Sequence, residues 1–340
     1  MLWNNVELHN VEEVRSIPER DGVRLQRVPE AVRQHLNPLA QEKMLSPAAC
    51  EIRFVSDEPT VNVTLSSAGK TDVAIFHGGF ETEHCTVGRD PETLRIVKPA
   101  NLLKLDPAAL PNTPFSHRVS RMLMGGANRD PVFLHRVEGK NVRPPALNEL
   151  PRLRYIAYGT SITQGAQATG AHLTYAAQTG RRLGADLINL GVGGSAYCEN
   201  ELADYMAQRD DWHVATLALS VNMIGAGFSL EEFGERVSYM VHTVCGSNPI
   251  RPVGCITIFP YFLDLGPDWH GNEKGTAEEF RQKLRDAVAS CPHPNAHLIE
   301  GPDILTDFTG LKPDLIHPGD IAMIEMGHNL AERLRPLLSD

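Results

Sequence analysis

The feature that most constrains the fold is a change of texture near residue 148. From residue 153 onward, apolar strand-like runs (154–158, 186–190, 214–220, 253–259, 297–300) alternate with amphipathic helical stretches (174–183, 200–208, 230–245, 277–290, 320–334). Helical periodicity between short apolar runs predicts βαβ units and a parallel sheet with helices on both faces. Before residue 148 the pattern is different. Short β-branched segments at 51–55, 60–65, 72–76 and 93–97 are separated by Ser, Gly, Pro and Asp, which predicts an antiparallel sandwich. One helical stretch is expected over 29–40. The Pro-rich segment 142–148 is the linker candidate, so the expected domains are 1–148, an all-β sandwich, and 149–340, an α/β/α domain.

Composition narrows the classes of function. With 42% hydrophobic and 22% charged residues the chain has ordinary globular composition. Against 42 acidic residues stand 32 basic ones, a formal net charge of -10 that disfavours binding to a phosphate backbone. No window has the roughly 18 consecutive apolar residues of a membrane span. The N-terminus lacks a basic and then apolar leader, so the expectation is a cytoplasmic protein with neither nucleic acid nor membrane as partner. Homo-oligomerisation is left open. The six cysteines lie far apart in sequence and suggest neither a zinc site nor a disulfide framework.

Ligands of open α/β sheets bind at the carboxyl ends of the strands, and four short blocks fall there or in a nearby loop. Gly159-Thr160-Ser161-Ile162-Thr163 puts Ser161 on the first strand-to-helix turn. Its plain alternative role is a helix cap. The block is neither a G-x-S-x-G elbow nor a phosphate loop. Asn189-Leu190-Gly191-Val192-Gly193-Gly194-Ser195-Ala196 could bring a backbone N–H to an oxyanion. It also matches G-x-G-x-x-G/A, with Asp210 and Asp211 near the ribose-binding distance, although that fingerprint belongs to the first βα turn and this is the second. Asn222, in Ser220-Val221-Asn222-Met223, is either a turn former or an amide donor to a carbonyl oxygen gaining charge. Finally, Asp314-Leu315-Ile316-His317-Pro318 holds a carboxylate and an imidazole in one loop. An Asp accepting the Nδ1 proton would leave Nε2 to face a serine, and Pro318 keeps His317 off the following helix.

In this order, the blocks resemble those of the SGNH hydrolase (GDSL esterase/lipase) superfamily over residues 153–338. The resemblance implies a flavodoxin-like three-layer α/β/α fold. It implies Ser161 as nucleophile, His317 as base and Asp314 as its partner. The oxyanion donors it implies are the N–H groups of Ser161 and Gly194 and the side chain of Asn222. It calls for no metal or organic cofactor. Here Gly159-Thr160-Ser161 stands for the family's Gly-Asp-Ser, and Ser220-Val221-Asn222-Met223 for its Gly-x-Asn-Asp. Similar members with an N-terminal, jelly-roll-like sandwich include carbohydrate deacetylases and acyltransferases acting on polyketides.

The expected activity is hydrolysis of short acyl esters, acetyl foremost, of a polar or carbohydrate alcohol through an acyl-enzyme. Acyl transfer to a small-molecule hydroxyl with the same residues is the alternative, and a catalytically silent carbohydrate-binding protein is the rival from another class. Tyr261 and Trp269, beyond the end of a strand, are candidate substrate contacts, with local packing as the plain alternative.

Overall fold

The computed structural model describes residues 1–18, 20–110, 113–125, 130–266 and 271–338. Two antiparallel sheets come first. A six-stranded sheet runs in the order Leu2–Trp3, Val6–His9, Glu51–Phe54, Ser120–Met124, Thr71–His77 and Phe80–Val87. A five-stranded sheet runs Glu13–Ile17, Arg20–Gln26, Val132–Glu138, Thr60–Ser67 and Glu92–Val97. Ile52, Val73 and Met122 of the first meet Val61, Val63 and Leu134 of the second in one buried cluster, which makes the pair a β-sandwich. The sequence pattern marks four of these strands and misses the rest. Phe80–Val87 shows why: it is an edge strand with most side chains in solvent, so it carries no apolar alternation.

The single helix expected over 29–40 is two short ones, Glu30–Arg33 and Pro38–Lys43. Asn37 breaks them. It precedes a proline, which pushes it out of the helical region to φ -59° and ψ 155°, and its Oδ1 accepts from Ala40 N at 3.0 Å as an N-cap.

The second domain is a five-stranded sheet in the order Ala185–Gly191, Leu153–Gly159, Val214–Ala218, Val253–Ile256 and Ala296–Ile299, with every pairing parallel. Numbered along the chain this is 2-1-3-4-5, the flavodoxin-like order, whose switch point lies between the first and third strands. Helices cover both faces. Tyr175–Leu183 and Asp320–Leu334 pack on one side through Tyr175, Met323 and Leu330. Asn200–Gln208, Leu230–Gly246 and Ala277–Ala289 pack on the other through Leu202, Phe233 and Phe280. The strand expected over 253–259 ends at Ile256, although Thr257 N still donates to Ile299 O at 2.9 Å. All six cysteines are free thiols, yet Cys245, Cys255 and Cys291 are brought together. Among the described residues, no helix is long and apolar enough to cross a membrane.

A buried ionic group joins sandwich to sheet. Arg53 donates to both Asp186 oxygens at 2.7 and 2.6 Å and to Glu51 Oε2 at 2.7 Å, and Glu51 is also held by Arg121. His9 Nε2 donates to Leu187 O at 2.6 Å. Burial pushes the carboxyls of Glu51 and Asp186 up, but the guanidinium groups outweigh it and hold both below the usual range. Burial, aided by Arg53, pulls the His9 imidazole down. All three groups therefore bind protons more weakly folded than unfolded. The stability from His9 is present above about pH 6.5 and that from the carboxylates above about pH 4, and each is lost as pH falls through the folded value. A melting-temperature series should thus decline as pH drops below about 6.5. Arg53→Met, which leaves buried Asp186 without its guanidinium while Glu51 keeps Arg121, should cost about 3–5 kcal/mol by urea denaturation.

Candidate active site

The strand Leu153–Gly159 delivers Ser161 to the switch point. Gly159 is required by close approach: a Cβ there would lie 2.2 Å from Thr163 Oγ1 and 3.0 Å from Ala218 O. The cap of the short helix Ser161–Gln164 is Thr160, whose Oγ1 accepts from Ile162 N at 3.4 Å. Ser161 is therefore not the cap. It opens the helix, where the backbone N–H has no intrahelical partner.

The loop 311–319 brings the imidazole to it. Ser161 Oγ and His317 Nε2 are 2.7 Å apart, and His317 Nδ1 and Asp314 Oδ2 are 2.8 Å apart. Asp314 Oδ1 accepts from the N–H groups of Ile316 and His317, each at 3.0 Å. Leu315, at φ +55°, lets the chain turn tightly enough for this, and Lys312 N closes the loop on His317 O at 2.8 Å. Partial burial pushes the Asp314 carboxyl up, but the His317 and Ile316 hydrogen bonds outweigh it and keep it below the ordinary carboxylate value. It stays ionised at neutral pH and can orient the imidazole. This Ser–His–Asp chain is the geometry that proton abstraction from a serine hydroxyl needs.

The glycine block packs against the serine helix. A Cβ on Gly191 would sit 2.3 Å from Gln164 N, so this glycine serves close approach rather than a dinucleotide. Asp211, the ribose candidate of that alternative, is instead paired with Arg209 and Arg154. Asn189 Nδ2 donates to Thr163 O at 2.7 Å while its Oδ1 accepts from Gly191 N at 2.8 Å, and Gly193 N donates to Gln164 Oε1 at 2.7 Å. Gly194 has φ +75°, the left-handed region where a side chain is strained. Asn222 lies in the short helix Val221–Gly225, and its Oδ1 accepts from Ala196 N at 3.3 Å, which leaves the NH2 end as a donor.

Arg27 and Asn37 brace this block from behind, in a segment whose Val28, Leu36, Ala40 and Met44 pack into the core of the parallel-sheet domain. Arg27 is fully buried, and its guanidinium donates to the carbonyls of Asn189 and Gly191 (both 3.0 Å), Ser46 (2.8 Å) and Lys43 (2.7 Å). Burial pulls its pKa down to about 10, still charged at neutral pH. Asn37 Nδ2 donates to Ser195 O at 3.0 Å.

Ser161, Gly194, Asn222, Tyr261 and His317 line one cavity of about 500 Å³, together with Leu39 and Lys43 of the helix Pro38–Lys43. Tyr261 is 3% exposed, and its Oη has no hydrogen-bond partner among the described residues. Burial pushes its hydroxyl pKa up, so it remains a protonated donor. Trp269 lies outside the described residues. Leu39, Lys43, Gln164 and Arg27 carry no sequence signal, because each acts through a contact distant in sequence.

A family model for the GDSL-like lipase/acylhydrolase family matches residues 153–335. No curated protein matches by sequence. Among solved structures, a salicylyl-acyltransferase from a tetracycline biosynthetic pathway superposes with a TM-score of 0.78 at 14% identity, covering 98% of this chain and 96% of its own. A family two carbohydrate esterase from Clostridium thermocellum, in complex with cellohexaose, gives 0.60 at 15% identity over 86% and 93%. An acetyl xylan esterase from the rumen bacterium Butyrivibrio proteoclasticus gives 0.58 at 10% over 98% and 99%. These likenesses extend through the sandwich and establish the shared two-part fold. By the match across its α/β domain, the chain belongs to the GDSL-like lipase/acylhydrolase family.

Proposed function

We propose that the protein is a serine esterase cleaving short acyl esters, acetyl foremost, of a polar or carbohydrate alcohol. The observation that carries this reading is the hydrogen-bonded run from Ser161 Oγ through His317 to Asp314, opening on the cavity. Ser161 Oγ attacks the acyl carbon as His317 Nε2 takes its proton. The oxygen gaining charge is met by the N–H groups of Ser161 and Gly194 and the NH2 of Asn222, donors of a kind worth about 3 kcal/mol each. His317 then protonates the departing alcohol, and a water molecule, deprotonated by the same imidazole, releases the acid.

The cavity wall is largely apolar, with Leu39, Val221, Ile224 and Ile316, and Lys43 and Glu273 add charged groups that can hold a hydroxylated alcohol beside the acyl group. Fold likeness to an acetyl xylan esterase and a carbohydrate esterase is in keeping with that class. A screen of esters of rising acyl length beside acetylated sugars should peak at acetyl, and a peak at long chains would contradict it. Tyr261 Oη is buried without a partner among the described residues, so Tyr261→Phe should leave stability unchanged or raise it by about 1 kcal/mol in urea denaturation, and should change hydrolysis of p-nitrophenyl acetate little.

Acyl transfer to a small-molecule hydroxyl is the second reading, favoured by the full-length likeness to an acyltransferase. Product analysis with candidate acceptors separates the two: transfer yields a new ester, whereas free acid alone supports hydrolysis.

A further inference from the structure

A second cluster, Glu81, His84 and His172, lies outside the cavity that Ser161 lines. The strand Phe80–Val87 pairs with Thr71–His77 through a bulge, since Phe76 faces Glu81 but Ile75 faces Glu83. On a regular strand, residues 81 and 84 would point to opposite faces. The extra residue, Thr82, whose Oγ1 donates to Ile75 O at 3.1 Å, brings Glu81 and His84 to one side, with His84 Nε2 3.4 Å from Glu81 Oε1. From the α/β domain, His172 reaches across and sets its Nε2 3.5 Å from Glu81 Oε2. The turn Ala171–Leu173 that carries it is fixed by Gln178 Nε2 donating to His172 O at 2.7 Å. Its ring packs edge-on to Phe76 and His84, each at 5.5 Å.

One ligand atom from each of Glu81, His84 and His172 lies within 4.8 Å of the others. Zinc–ligand distances of about 2.1 Å in a tetrahedron put neighbouring ligand atoms about 3.4 Å apart. His84 Nε2 and His172 Nε2 stand 3.4 and 3.5 Å from the two different oxygens of Glu81, so a small turn of the carboxylate brings one oxygen to both. Two imidazoles and one carboxylate suit a borderline ion, whereas calcium and magnesium favour all-oxygen sets.

We propose that Glu81, His84 and His172 bind one divalent transition-metal ion of the zinc class, with water completing the tetrahedron, and that the ion cross-links the sandwich to the α/β domain. Its ligands come from two domains, so binding favours the docked arrangement over any state in which they separate. The role is structural. Neither histidine lines the serine cavity, and esterase chemistry does not pass through the ion.

The test is calorimetric titration of chelator-treated, desalted full-length protein with Zn²⁺. The expected result is one equivalent bound at micromolar Kd or tighter, with a melting temperature raised by about 4 °C or more at saturation. His84→Ala and His172→Ala should each weaken binding by about 10-fold or more and abolish the rise. His84 is exposed, so His84→Ala should keep the wild-type circular dichroism and ester hydrolysis, which separates lost ligation from misfolding. Loading with Co²⁺ should give visible absorption of tetrahedral strength. Absence of stoichiometric Zn²⁺ binding overturns the proposal. So does binding undiminished in both variants, as an ion held by Cys245, Cys255 and Cys291 would show.

Discussion

Ser161→Ala should lower kcat for p-nitrophenyl acetate by about 10⁴-fold or more, and His317→Ala by a similar factor. The two groups act as one unit, because the imidazole has no proton to take without the hydroxyl and the hydroxyl is a weak nucleophile without the imidazole. The double variant should therefore be no slower than either single one, within about 10-fold. Asp314→Asn should cost less than either. Its carboxylate touches the imidazole through one ring hydrogen bond, and the backbone bonds from Ile316 and His317 that shape the loop can be made by an amide oxygen as well. Steady-state kinetics with matched circular dichroism checks all four. A near-wild-type rate in Ser161→Ala would remove Ser161 from the chemistry.

The second large effect is expected far from the reacting atoms. Arg27→Met should destabilise the protein by about 3 kcal/mol, reflecting buried carbonyls left unsatisfied at about 1–3 kcal/mol each and partly offset by no longer burying a charge. Two of the carbonyls that lose a donor belong to Asn189, which keeps Asn10 Nδ2 at 3.2 Å, and Gly191, and both frame the loop leading to Gly194. Loosening that loop should lower kcat by about 10-fold or more with little change in KM, because a displaced oxyanion donor acts on the transition state rather than on ground-state binding. Arg27→Lys should fall short of rescue, since an ammonium keeps the charge but not the fork that reaches four carbonyls. Urea denaturation and kinetics on the same preparations test both halves. Lost stability with intact kcat would make Arg27 a purely structural residue.

These two cases mark where the sequence is legible and where it is not. The helices Asn200–Gln208 and Asp320–Leu334 are read to the residue because one face of each is apolar at helical spacing. Ser161, Asp314 and His317 are legible because a turn or a short loop holds each, so local spacing carries the information. Gly194 and Asn222 stand out only by falling just past strand ends, and their expected roles come from the family resemblance. Arg27 carries no such signal: a lone arginine in a β segment reads as solvated, and its burial depends on partners beyond residue 185. The helix break at Asn37 comes from Pro38, which pushes the residue before it out of the helical region inside a stretch of helix formers. The Glu81–His84–His172 group is hidden twice, once by a bulge that defeats strand alternation and once by the span between its ligands.

The central claim is that an acyl group passes through Ser161. Acid-quenching the protein within its first turnovers of p-nitrophenyl acetate, followed by peptide mass spectrometry, tests it most directly. The expected result is one acetyl group on the peptide containing Ser161, absent from Ser161→Ala and from unreacted protein. Acetylation at another residue, with Ser161 unmodified while p-nitrophenol is released at the full rate, would contradict the claim.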